Sequence, residues 1–278
     1  MRILHIITVG TSIVRNVARV CDSIYSLKRY CEVLNNWARA LPDSAEDIDA
    51  YNNAVPSSPI YSEIREYVAS DPFKPSAELN AFLSYLSRLA SKGLKAMHDV
   101  ILYSSDSGVC WFCTRIIDDF LRSFSGYDLG GLYNAKEQIM GSVKSVRVHS
   151  LGRDFHSGLL NLIAEIKKTV VREASKYDLI VANLTAGFKP ESGMVILTAG
   201  LIGIDRIYYI HEYMREVVEI PIIPLEIPSN LRYMLRRVLR GYSLTESEKE
   251  ILGKMGLIDN RGRVTPWARE WIKIMISS

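Results

Sequence analysis

The chain has 278 residues, 48% of them hydrophobic and 23% charged, with a formal net charge of +3. That length allows one large domain or two modest ones with a real core. No uncharged apolar run reaches the ~18 residues a membrane helix needs, which argues against a membrane partner. Met1-Arg2-Ile3-Leu4-His5-Ile6-Ile7 leads into Gly10 and Arg15 without a cleavage-like site, so it reads as a first buried strand and a cytoplasmic location is expected.

In chain order, residues 3–9 are a β-branched strand and 13–40 a helix with a break. Pro42, Pro56 and Pro59 mark an irregular connection. Residues 62–68 and 77–95 have helical spacing, 100–103 reads as strand, and 111–124 as helix. Residues 125–141 hold four glycines and predict a long loop or lid. Strand 143–148, helix 154–174, strand 179–183, helix 190–202 and strand 206–210 follow. Residues 217–227 are extended, and Pro221 and Pro224 restrict them to an edge. The βαβα alternation predicts an α/β fold with a mostly parallel sheet flanked by helices.

From Ser229 the pattern changes. Leu231, Met234, Leu235 and Val238 share one helical face, while Arg232, Arg236 and Arg240 recur every four residues on another. Ser243-Leu244-Thr245-Glu246-Ser247-Glu248 looks like a cap opening a second helix. A short ribbon over 255–265 and a last helix over 267–276 complete a small winged-helix-like unit. Residues 228–278 hold ten Lys/Arg against five Asp/Glu, net +5, and the first 227 residues are close to neutral. Two units, 1–227 and 228–278, are expected.

Cys110-Trp111-Phe112-Cys113 is a CxxC, but no second pair or histidine set stands at zinc spacing, so two core thiols are the simpler reading. His5 reads as a satisfied core residue. No metal and no cofactor are expected.

Chemistry is expected at the carboxyl ends of the strands, where open parallel sheets bind ligands. Three polar loops belong there. Gly10-Thr11-Ser12, followed by Asn16, offers a tight turn and two hydroxyls, although Thr or Ser before a helix is also an ordinary cap. Ser104 to Gly108 contributes Ser105 and Asp106. Asn183-Leu184-Thr185-Ala186-Gly187-Phe188-Lys189-Pro190 leads from strand to helix. Amides of Thr185, Ala186, Gly187 and Phe188, the positive helix end and Lys189 would together attract a phosphate. Neither GxxxxGK[ST] nor GxGxxG is present, so the fingerprints of ATP hydrolysis and dinucleotide binding are missing. No general base is evident.

The strand-Gly10-Thr11-Ser12-helix and strand-Asn183-to-Ser192-helix segments together resemble the CARF (CRISPR-associated Rossmann-fold) domain. More narrowly, they are similar to the archaeal ring nucleases of type III CRISPR systems. Leu151-Gly152-Arg153-Asp154-Phe155 before a helix fits the same pattern, and the likeness covers roughly residues 1–225. The resemblance implies a homodimer that binds cyclic tetra-adenylate and cleaves it, without metal, to linear di-adenylate with a 2′,3′-cyclic phosphate. By matching position, Ser12 and Lys189 would be the catalytic pair. The basic C-terminal unit keeps a second reading open, a cyclic-oligoadenylate-sensing regulator that binds DNA through Arg232, Arg236 and Arg240.

Overall fold

The structure is a computed structural model that describes residues 1–187, 189–210 and 216–276, apart from the side chain of Leu132. The chain begins with β1 (Arg2–Val9), α1 (Ser12–Val20), α2 (Cys31–Trp37), α3 (Ala45–Asn52), α4 (Pro59–Ser70) and α5 (Ala77–Ser91). It continues with β2 (Ala96–Ser104), α6 (Gly108–Arg122), β3 (Asp128–Leu129), α7 (Gly130–Tyr133), β4 (Ala135–Arg147) and α8 (Phe155–Glu173). Then come β5 (Leu179–Asn183), α9 (Lys189–Ile202), β6 (Arg206–Ile210) and β7 (Val217–Pro221). The last helices are α10 (Ser229–Leu239), α11 (Glu246–Lys254) and α12 (Pro266–Ile276).

The seven strands form one sheet in the order β3-β4-β2-β1-β5-β6-β7. The five central strands are parallel, and β3 and β7 close the two edges in antiparallel fashion. This is the α/β arrangement expected from the alternation of elements. Chain order runs outward from β1 to β2 and β4, then returns to its other side with β5 and β6. The switch point therefore lies between β1 and β5, where Gly10 and Thr185 follow their strands.

The period-2 pattern of β1 divides its side chains between two cores. Ile3, Ile7 and Val9 join the helices α1 to α6 on one face. Leu4 and Ile6 join α8 and α9 on the other. His5 lies in the first of these layers, fully buried, and is satisfied as expected: Tyr208 Oη is 3.0 Å from Nδ1 and His98 Nδ1 is 2.9 Å from Nε2. His98 in turn reaches Gln138 Oε1 at 2.9 Å, and Gln138 donates to the Leu94 carbonyl at 2.6 Å.

Two sequence expectations are corrected. The proline-marked connection contains α3, a helix started by Ser44, whose side chain accepts from the Asp47 amide. Prolines here bound the helix without breaking it. Residues 125–141 are not a lid. They form β3, α7 and the first half of β4, with Gln138 level with Ala96 at the start of β2. That end of the sheet is opposite the strand ends that carry Gly10 and Thr185, so the segment lies away from them.

Cys110 and Cys113 are buried free thiols, and burial raises the pKa of both, which fits core packing. Cys21 and Cys31 form a disulfide that ties the end of α1 to the start of α2. The C-terminal helices enclose a small core of Met234, Leu235, Val238, Leu252, Ile272 and Ile276. The predicted cap is present: Thr245 accepts from the Glu248 amide, and Glu248 from that of Thr245. Of the expected ribbon, one bridge forms, Ile258 to Val264. α12 also reaches the main body: Trp271, Ile274 and Met275 pack on the α8–α9 core, and Lys167 donates to the Ile274 carbonyl at 2.6 Å.

Candidate functional site

The two loops at the switch point meet. Thr8, near the end of β1, donates to the Ala186 carbonyl at 2.8 Å. A Cβ placed on Gly10 would stand 3.3 Å from the Gly187 nitrogen, so glycine permits the approach. Gly187 has φ +103°, and a Cβ there would lie 2.7 Å from a Glu191 carboxylate oxygen. Both conditions select glycine at this turn.

A cavity of about 630 Å³ opens above this junction. Its floor is Gly10, Thr11, Ser12, Ser105, Thr185, Ala186 and Gly187, with Asn16 at one side. Its far wall is the turn after α2, Trp37 to Pro42, held by the Trp37 indole donating to Asp49 at 2.9 Å. Thr11 occupies the cap position of α1, but its side chain caps nothing. Asn16 is committed to structure, donating to the carbonyls of Lys74 and Pro75. The Thr185 amide is likewise used, by the Asn183 side chain at 3.1 Å, whereas those of Ala186 and Gly187 have no partner among the described residues.

Asp106 and Lys189 do not line this cavity. Asp106 instead anchors the loop after β4. It lies 3.0 Å from Arg147 and 3.5 Å from Arg153, and accepts the Ser150 amide at 2.9 Å. Its oxygens are taken by these partners, and the structure gives it the part of a loop anchor outside the cavity lining. Lys189 is the first residue of α9 and is exposed. Phe188 lies outside the described residues.

Four side chains at the site escaped sequence reasoning. Arg15 and Arg19, one turn apart on α1, and Arg39 on the far wall all line the cavity, and none has an ion-pair partner among the described residues. Their i, i+4 spacing on an exposed helix face was the available signal. The fourth is Glu78, 1% exposed in the first turn of α5. It accepts from the Gly10 amide at 2.8 Å, Ser12 Oγ at 2.6 Å and Ser76 Oγ at 3.0 Å. An acid two residues into a helix looks like ordinary dipole compensation, which hid it.

Among the described residues the arrangement is a hydroxyl- and amide-lined floor under three cations without ion-pair partners, with Glu191 as the one acid in the lining. Such an arrangement is chemically suited to an anion that also presents hydroxyls. Fold and site together define a Rossmann-like α/β protein with an anion-receptive cavity at the switch point of its sheet. Residues 73–223 match a family model described as CRISPR-associated protein (Cas_APE2256), and the chain belongs to that family. The match spans α5 with Glu78, the Ser105 and Asp106 loop, the Gly152 and Arg153 segment and the Thr185–Lys189 turn.

Proposed function

We propose that the chain is a ring nuclease that cleaves cyclic tetra-adenylate to linear di-adenylate ending in 2′,3′-cyclic phosphates. The reading rests on the meeting of the Gly10–Ser12 and Thr185–Gly187 loops beneath Arg15, Arg19 and Arg39. Membership of a CRISPR-associated family supports it. In each cleavage the substrate's 2′-oxygen attacks the neighbouring phosphorus as its proton departs. The bond from phosphorus to the 5′-oxygen breaks, and that oxygen takes up a proton. The nucleophile is already in the substrate, so the protein's work is alignment and charge stabilisation. Ser12 would orient the ribose, the Ala186 and Gly187 amides would receive phosphate oxygens, and Lys189 would supply charge at the rim.

A cyclic tetranucleotide exceeds the drug-sized ligands that fill cavities of about 300–1,000 Å³. A two-fold pair of chains would supply two cavities to one two-fold ring. α9 supports such pairing. It is apolar nearly all round yet leaves Ile196 and Leu197 exposed, 44% and 65%, beside the exposed Ile223 and Leu225. Lys189 begins this same helix, which would place it where two copies and the ring converge.

The test is cleavage of labelled cyclic tetra-adenylate in EDTA, with Ser12→Ala and Lys189→Ala beside the wild type. Linear product is expected from the wild type, with each variant slower by about 10²–10³. Intact ring with the wild type, or an undiminished rate in both variants, refutes the proposal. The DNA-binding regulator keeps one supporting observation: Arg236 on α10 and Arg240 at its C-terminal cap are exposed without ion-pair partners among the described residues.

A further inference from the structure

Ser12 is already held by two protein groups. Its hydroxyl stands 2.6 Å from Glu78 Oε2, within the range of a charge-assisted O–H···O bond. The Ala77 amide donates to Ser12 Oγ at 3.3 Å. A serine hydroxyl has one proton and two acceptor positions. The proton therefore goes to Glu78, the amide takes one acceptor position, and one acceptor position remains towards the cavity that Ser12 lines.

Glu78 has no freedom to reverse this polarity. Oε1 accepts the Gly10 amide, and Oε2 is shared with Ser76, whose own oxygen accepts the Leu79 amide as the cap of α5. Every neighbour with a defined role donates to the carboxylate. Its backbone is fixed as well, since the Asn183 side chain donates to the Glu78 carbonyl at 3.1 Å. The same carboxylate thus joins the Gly10 turn, the Ser12 hydroxyl and the start of α5, and Asn183 adds the base of the Thr185 loop.

We infer that Glu78 is a positioning residue that holds the Ser12 proton, so that Ser12 meets its ligand as a hydrogen-bond acceptor and selects a ring with ribose hydroxyls over one that cannot donate. The inference deepens the ring-nuclease reading and rests on it. It assigns Ser12 to a ribose hydroxyl and not to a phosphate oxygen, which would require a donor. Phosphate recognition then falls to the loop amides and the arginines.

The test compares binding of cyclic tetra-adenylate with its 2′-fluoro analogue, whose fluorine cannot donate. The wild type should prefer the hydroxyl form by about tenfold, the value of one hydrogen bond to a fixed polar partner, and Ser12→Ala should lose that preference. Glu78→Gln places an amide against Ser12 and frees the serine proton. The preference should fall towards one and cleavage should slow at least tenfold, with Ser12→Ala/Glu78→Gln no slower than Ser12→Ala alone. That non-additivity separates positioning through Ser12 from a general structural role. Should Glu78→Gln not fold, Glu78→Asp withdraws the carboxylate by one methylene and is read the same way. A wild type that cleaves the ring but binds both forms equally overturns this inference and leaves the nuclease reading standing. A Glu78 variant with undiminished rate and preference does the same. A wild type that binds neither ring overturns both.

Discussion

Two regions of the molecule carry unpaired arginines, and they carry them differently. At the strand ends, Arg15 and Arg19 on α1 face Arg39 on the opposite wall of one concave site. In the C-terminal helices Lys249, Arg263 and Arg269 line a smaller cavity of about 330 Å³, but many of the basic side chains there are already answered, Arg269 by the Leu239 carbonyl at 3.3 Å. Arg237 pairs with Glu248 at 2.5 Å, Arg263 with Asp259 at 3.0 Å, and Lys249, Lys254 and Lys273 pair with glutamates one turn away. The excess of +5 that marks this unit in the sequence is therefore partly spread over local ion pairs, each worth little at an exposed surface. Unpaired cations that converge on a cavity, and not the count of positive charges, would distinguish a site for a compact polyanion from a basic face whose charges are already met.

The sharpest way to break that comparison is to remove each set of cations. Replacing Arg15, Arg19 and Arg39 together with alanine should weaken cyclic tetra-adenylate binding by about 10³-fold, roughly tenfold for each charged hydrogen-bonding group. The matched Arg232→Ala/Arg236→Ala/Arg240→Ala variant should bind and cleave the ring within about twofold of wild type, since none of these residues lines the cavity. Titration of labelled ring against both variants decides it. A loss of the same size in the C-terminal variant would show that the basic unit shares in ligand binding.

The two regions should also respond to acid in different windows. Burial holds His98 down to about 4, and His5 well below the ordinary histidine value, with the neighbouring His98 adding to the burial effect. Gln138 accepts from His98, His98 from His5, and His5 from Tyr208, a one-way chain that needs every imidazole neutral. A depressed histidine stabilises the fold above its unfolded pKa near 6.5. That contribution is lost as pH falls, because the unfolded chain takes up protons that the folded one refuses. The shift of His98 alone corresponds to about 3 kcal/mol, lost between pH 6.5 and 4. In the C-terminal helices the groups held low are carboxylates: Glu248 by the Thr245 amide and Asp259 by the Arg263 amide. Their support lasts until pH falls below the usual carboxylate range. A thermal midpoint that declines from pH 6.5 to 4, through the histidines alone, and goes on falling below 4 as His5 and the depressed carboxylates take up protons is the expected profile. A flat midpoint over the upper interval would refute the buried-histidine account.

The strands of the sheet were legible because apolar β-branched runs and glycine turns are local signals: residues 179–183 and 206–210 agree with β5 and β6 at both ends. The loops at Gly10 and Thr185 were legible for the same reason. What was hidden depended on contacts distant in sequence. Glu78 reaches Ser12 across 66 positions, and nothing in Ala77-Glu78-Leu79 announces that partner. Asp106 is held outside the cavity by Arg147 and Arg153, some 40 positions later, which its own loop does not reveal. The lid expected over 125–141 failed because glycine content signals a departure from helix but not which end of a sheet it lands on. Gly130 and Gly141 are there for space: a Cβ would strike the Lys136 Cα at 2.7 Å and the Asp99 carboxylate at 2.5 Å.

The smallest effect tests whether the two regions are separate folding units. Thr245 and Glu248 cap α11 reciprocally, and Leu252 of that helix is fully buried in the C-terminal core. Thr245→Ala removes the side-chain acceptor for the Glu248 amide and should cost about 1 kcal/mol. If the C-terminal core opens by itself, hydrogen exchange should quicken about fivefold in α10 and α11 while β1 amides keep their protection. The competing expectation comes from α12, whose Trp271, Ile274 and Met275 pack on the α8–α9 core. Were that contact strong enough to couple the regions, β1 would lose protection by the same factor. Met275 contributes to both cores, so Met275→Ala in the Thr245→Ala background should widen the difference between α11 and β1. Equal loss in both elements would show a single cooperative unit, with the basic helices bound rigidly to the sheet that holds the site.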